Sequence, residues 1–179
     1  MRHRTPSRLS PEGLSAITAR YFERHGVPST DHLRRVLSRR LREAEEAGQD
    51  RAEARALIEA ELQRQQALGV LNDARTAVEL ASRMHRKGNS GAKIRQKLSF
   101  EGLNAQSADA MAARSEEEDP ELSAALTWAR KHRVGPWRKG EPDPELARKE
   151  LARMGRAGFG YNVAKRVLNT SLEDAPDED

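Results

Sequence analysis

Apolar side chains recur along this chain at intervals of three and four residues, the spacing of one helix face, and nearly every such stretch ends at a glycine. The pattern predicts a first helix from about Pro11 to His25, with Leu14, Ile17 and Tyr21 on one face and Gly26-Val27-Pro28 as its stop. Ser29, Thr30 and Asp31 offer caps to a second helix carrying Leu33, Val36, Leu37 and Leu41, which runs on until Gly48 breaks the pattern. A third, from about Asp50 to Leu68, aligns Leu57, Ile58, Glu61 and Leu62 and stops at Gly69.

The triplet then recurs. A helix from Asn72 or Asp73 to His85 carries Ala77, Leu80, Ala81 and Met84; after the turn Lys87-Gly-Asn-Ser90 a second bears Ile94 and Leu98 and ends near Gly102; a third holds Ala108 and Met111. Asp119-Pro120 opens a further helix lined by Leu122, Ala125, Leu126 and Ala129, since proline suits the first turn. A long connection from Arg133 to Pro144 leads to helices at about 144–156 and 161–168. Two of these units share a register. Leu98 to Gly102 spans as many residues as Met154 to Gly158, and Gly102 to Met111 as many as Gly158 to Val167. The expectation is an all-α chain of nine helices in three tandem three-helix modules, an elongated, curved array of stacked repeats. Its predicted parts are a flexible basic N-terminus (1–11), module one (12–70), module two (71–117), module three (118–172) and an acidic tail (173–179).

Composition narrows the class. Charged residues make up 34% of the 179 and apolar ones 36%, with aromatics at 4%, which suits small helical modules with much exposed surface and argues against a sandwich or barrel. The formal net charge of +4 hides a local asymmetry. No acid lies between Glu79 and Glu101 or between Glu121 and Glu141, and both stretches are rich in Lys and Arg, which suggests a polyanionic or acidic partner. Absence of cysteine excludes a disulfide framework and a thiolate metal site. Apolar runs are too short to cross a bilayer and no apolar segment follows the basic Met1-Arg-His-Arg, so a soluble cytoplasmic protein without membrane contact is expected.

The order of motifs resembles the RecX family of recombination regulators. Leu68-Gly-Val-Leu-Asn-Asp73, followed by Arg75 and Ala77, is similar to that family's leucine, glycine, apolar pair and acidic pair. Arg83, Gly88 and Gly91 with Ile94, Leu98, Gly102 and Leu103 resemble its middle module; Gly158-Phe159 with Val163 and Val167-Leu168 resembles a signature near its end. The run Leu33-Arg-Arg-Val-Leu-Ser-Arg-Arg-Leu41 is similar to the basic second helix of its first module. Asn72 stands in place of the first paired acid, Thr76 where an aromatic is common, and Ala157 in place of the arginine before Gly-Phe. The resemblance implies a monomer lodging in the groove of the RecA–DNA filament. There it would bridge neighbouring subunits and restrain ATP hydrolysis, strand exchange and filament growth, touching single- and double-stranded DNA largely without regard to sequence.

No residue pattern points to catalysis, a cofactor or a metal. The five histidines lack HExxH or paired spacing, no GxxxxGK[ST] or GxSxG is present, and the glycines at 155, 158 and 160 read as a helix end and turn. Basic faces carry the candidate site. Arg35, Arg39 and Arg42 fall at i, i+4 and i+7 opposite Leu33 and Leu37; Lys149, Arg153 and Arg156 repeat the spacing; Lys93 and Lys97 form a shorter version, with Arg83, Arg86 and Lys87 nearby. These eleven residues are the expected RecA- or DNA-binding set. Arg40 points toward the apolar face and is read as structural. Trp128 and Trp137 could stack on bases but are read first as packing anchors, and Tyr21, Phe22, Phe100, Phe159 and Tyr161 as core or inter-helix residues. The competing readings are a repressor-like helical DNA-binding protein acting without RecA, disfavoured by the few Asn and Gln available to read base edges, and an adaptor for an acidic protein.

Overall fold

The computed structural model describes residues 7–141, 143–171 and 173, and among these every regular element is helical. The elements are α1 (Pro11–His25), α2 (Thr30–Ser38), α3 (Leu41–Glu46), α4 (Arg51–Ala67), α5 (Asp73–Arg86), α6 (Gly91–Phe100), α7 (Ser107–Ala112), α8 (Pro120–His132), a short 3-10 turn (Gly135–Trp137), α9 (Pro144–Arg156) and α10 (Tyr161–Asn169). Residues 1–6 of the expected N-terminal segment and 174–179 of the expected tail lie outside the described residues.

Local chemistry accounts for the helix ends. The Ser10, Ser29, Asp50, Ser90, Asp119 and Asp143 side chains each accept a backbone amide of the first turn that follows. The stops repeat one device. The Leu103 amide donates to the Leu98 carbonyl at 2.9 Å and the Gly102 amide to Ser99 at 3.0 Å; Phe159 donates to Met154 at 3.1 Å and Gly158 to Gly155 at 2.9 Å. Gly102 and Gly158 have φ of 76° and 90°, the left-handed conformation this cap requires. Arg133 takes the same role after α8 with φ 55°, where glycine is the usual occupant.

Residues 30–46, expected as one helix, form two. The Arg40 amide bonds to Leu37, three residues back, at 2.9 Å, and this tightened turn at Arg39–Arg40 separates α2 from α3. Both pieces pack on α4, so the break lets the chain follow α4 while burying Leu33, Leu37, Leu41 and Ala44.

The chain divides into two compact units, 1–76 and 77–179, the boundary falling inside α5. In the first, α1 to α4 enclose Leu14, Leu33, Leu37, Ile58, Leu62 and Leu71, and the Gln49 side chain bonds both backbone groups of Leu9. The second unit holds two apolar clusters. One gathers Ala77, Ala81, Ile94, Leu98, Leu103 and Ala110 from α5 to α7; the other gathers Ala125, Ala129, Val134, Met154, Phe159 and Val167 from α8 to α10.

Close backbone approaches join these two clusters. The buried Ser90 hydroxyl donates to the Ala157 carbonyl at 2.8 Å, and the Gly91 amide donates to the Glu121 carboxylate at 3.0 Å. Gly88 lies so near α8 that an added Cβ would sit 2.8 Å from the Trp128 nitrogen.

Three expectations are corrected. Ala108 is exposed and Ala110 is buried beside Met111, because α7 starts two residues later after its glycine than α10 does after Gly158. Phe100 and Tyr161 are 64% and 65% exposed rather than buried. Phe100 sits two positions past Leu98, on the other side of the helix, and Tyr161 begins α10 facing outward.

Candidate cationic interface

Three residues of the family-like motif, Leu71, Asn72 and Asp73, are architectural, while Leu68 at its start is exposed. Leu71 is buried in the first core, the Asn72 side chain accepts the Arg75 amide at 2.9 Å to cap α5, and Asp73 accepts the Thr30 amide at 2.8 Å and its hydroxyl at 3.1 Å. A carboxylate at the N-terminus of α2 complements the partial positive charge there. Asn72 thus serves as a cap without needing a charge.

Arginines near these cores separate into structural and available groups. Arg34 lies half-buried and clasps Glu59 through Nε at 2.7 Å and a second nitrogen at 3.2 Å; that hydrogen-bonded carboxylate raises its pKa. Arg40 is partly buried and pairs with Glu43 at 3.0 Å, consistent with the structural role expected of it. Trp128 stacks on His132 with ring centres 4.1 Å apart and meets Phe159 edge-on, and Trp137 packs against the same cluster.

The eleven expected contact residues form two classes. Arg35, Arg42, Lys97 and Lys149 have carboxylates one helical turn away: Asp31 at 3.4 Å, Glu46 at 2.9 Å, Glu101, and Glu145 at 2.7 Å. The pairs of Arg35, Arg42 and Lys149 are exposed and worth only about 0–1 kcal/mol each, so a polyanion can displace the acid at small cost, whereas Glu101 is only 12% exposed. Arg39, Arg83, Arg86, Lys87, Lys93, Arg153 and Arg156 are exposed, with no ion pair among the described residues. The stripe Arg35, Arg39, Arg42 does not follow one continuous helix, because the break between α2 and α3 falls at Arg39.

That break brings Arg39 and Arg40 to the wall of an open groove of about 700 Å³ whose other side is α1, with Arg20, Arg24 and His25. The α1 residues lie outside the expected contact set. Arg20 and Arg24, one turn apart, were the available signal, but only the packing of α1 beside α2 and α3 places them with Arg39.

No family model matches the sequence, and no solved structure matches it. Two curated proteins do. The regulatory protein RecX of Myxococcus xanthus (strain DK1622) is 35% identical over 168 residues, covering 93% of this chain and 89% of that protein. The regulatory protein RecX of Agrobacterium fabrum (strain C58 / ATCC 33970) is 29% identical over 161 residues, covering 89% of this chain and 84% of that protein.

Proposed function

The chain belongs to the RecX family of regulatory proteins, and from that premise we propose that it binds RecA–DNA filaments and inhibits RecA ATPase, strand exchange and filament growth. In this reading it is a cytoplasmic monomer without catalytic activity, arranged as modules 12–70, 71–117 and 118–172. The three apolar clusters, one within each span apart from Leu71, support that division. Among the described residues no helix is long and apolar enough to cross a membrane.

The observation carrying the reading, beside the kinship, is the set of exposed cations that make no ion pair among the described residues: Arg39, Arg83, Arg86, Lys87, Lys93, Arg153 and Arg156. Five of these groups stand on helices and two, Arg39 and Lys87, in the tight turns that end α2 and α5, so they can engage DNA phosphates or acidic filament residues without ordering a long loop. A regulator of this kind performs no chemistry. By binding one filament state more tightly than its alternatives it shifts the partner's equilibrium, and the shift is limited by that difference in affinity.

The test is the DNA-dependent ATPase of RecA on poly(dT) with the purified protein titrated in. Inhibition at or below one protein per RecA is expected. Tight, sequence-selective duplex binding with no effect on RecA would establish the repressor-like reading instead.

A further inference from the structure

The groove between α1 and the α2–α3 junction carries an excess of positive charge that the first unit does not use for its own packing. Arg20, Arg24 and His25 face it from α1, Arg39 and Arg40 from the junction. Glu43 is the one carboxylate in its lining among the described residues, and Arg40 already engages it at 3.0 Å. Three neighbouring acids are directed elsewhere: Glu46 pairs with Arg42 at 2.9 Å, Glu45 with Arg51 at 3.0 Å, and Glu12 lines a different cavity on the other side of α1. Glu23, beside Arg24, is exposed and is not part of the groove lining. Arg24 and Arg39 make no ion pair among the described residues.

Aromatic groups accompany the cations. The Tyr21 hydroxyl lies 2.9 Å from His32 Nε2, which fixes its ring, and the His25 ring sits 4.8 Å from it at the exposed edge.

The geometry points to a seat for the backbone of single-stranded DNA in this groove, with phosphates on Arg24 and Arg39 and an unpaired base against His25 and Tyr21. This assigns the DNA contact to the first unit and rests on the proposed function only for the choice of DNA as partner. Cations beside aromatic rings suit a single strand, whose bases are free to stack, better than a duplex, whose bases are covered. Tyr21 already packs against the first core, so the exposed His25 ring is the discriminating group: an acidic peptide would satisfy the guanidinium groups but would not use it.

The test uses the full chain and a fluorescent dT oligonucleotide followed by anisotropy at several salt concentrations. Arg24→Ala with Arg39→Ala should weaken binding about tenfold at 50 mM salt and make the log–log salt slope shallower by about 1.4, the value for two lost single-strand phosphate contacts. Arg148→Ala with Lys165→Ala, which removes equal charge at exposed positions outside the expected contact set, should change both less. Arg24 and Arg39 have exposed side chains, so both variants should melt as the parent does.

Equal effects of the two variants, no dT binding by the parent, or equally tight groove-dependent binding of a duplex of the same length would overturn the assignment. So would dependence on the groove for a poly-glutamate peptide but not for dT. Groove-dependent dT binding by a protein that leaves RecA ATPase untouched would retain the groove and reject the proposed function. Inhibition of RecA without dT binding would do the reverse.

Discussion

The Arg138 guanidinium lies 2.8 Å from the Glu150 carboxylate, with both side chains withdrawn from solvent at 12% and 3% exposure. Arg138 follows the 3-10 turn in the connection after α8, and Glu150 faces inward from the middle of α9. The pair fastens that connection to the helix it precedes. It is imperfect: Arg138 Nε and Glu150 Oε2 have no hydrogen-bond partner of good geometry.

Removing one member would leave a charge buried alone. Glu150→Ala should therefore destabilise the second unit by about 3 kcal/mol, whereas Arg138→Leu with Glu150→Leu should recover most of the loss, because a packed apolar pair avoids the desolvation of both ions. Urea denaturation of the three proteins checks this. A single variant as stable as the parent would show that water reaches the pair.

Gly158 and Gly140 separate backbone strain from crowding. Both have positive φ, 90° and 91°, but an added Cβ at Gly158 would meet the Ser90 hydroxyl at 2.5 Å, while at Gly140 it would meet nothing within 4 Å. Alanine at either site incurs about 1–2 kcal/mol of left-handed strain. At Gly158 the displaced Ser90 should add about 1–3 kcal/mol. Equal denaturation midpoints for Gly158→Ala and Gly140→Ala would mean that Ser90 yields freely.

His85 should make the second unit sensitive to mild acid. Burial lowers its pKa from the ordinary 6.5, with Arg114 adding to the effect and Glu117, 3.5 Å from Nε2, and Glu121 opposing it. The depressed value means that the unfolded chain takes up a proton first. Stability from the neutral ring is thus complete above pH 6.5 and declines as the pH falls through the folded value. His85→Leu should flatten the change in melting temperature between pH 7 and 5. An unchanged slope would place the sensitivity on another group.

Much of the fold was legible because its signals are local. The Leu98 and Met154 faces, the caps at Ser90 and Asp119 and the stops at Gly102 and Gly158 can each be read within a turn or two of chain. The division of α2 from α3 could not, since Leu33, Val36, Leu37 and Leu41 keep a continuous helical period and arginine is a good helix former. Only packing on α4 decides it. The Arg138–Glu150 pair and the joining of Arg20 and Arg24 with Arg39 depend equally on contacts between distant residues. The basic faces were visible, but counting cations alone overlooked that Arg35, Arg42, Lys97 and Lys149 have acids one turn away.

Arg35, Arg39 and Arg42 therefore offer a test of function nearly free of stability effects. Arg35 and Arg42 are exposed, 42% and 88% at the side chain, and their pairs with Asp31 and Glu46 lie at the surface. Each such pair contributes about 0–1 kcal/mol, so changing all three to alanine should leave helicity and melting almost unaltered. Inhibition of RecA ATPase should weaken at the same time. If all three meet phosphates, the log–log salt slope for DNA binding should become shallower by about 2.1 on a single strand and about 2.7 on a duplex. A smaller change, near that of Arg39→Ala alone, would confine the contact to the groove and give Arg35 and Arg42 to their own carboxylates. Collapse of the fold in the triple variant would make the stripe structural.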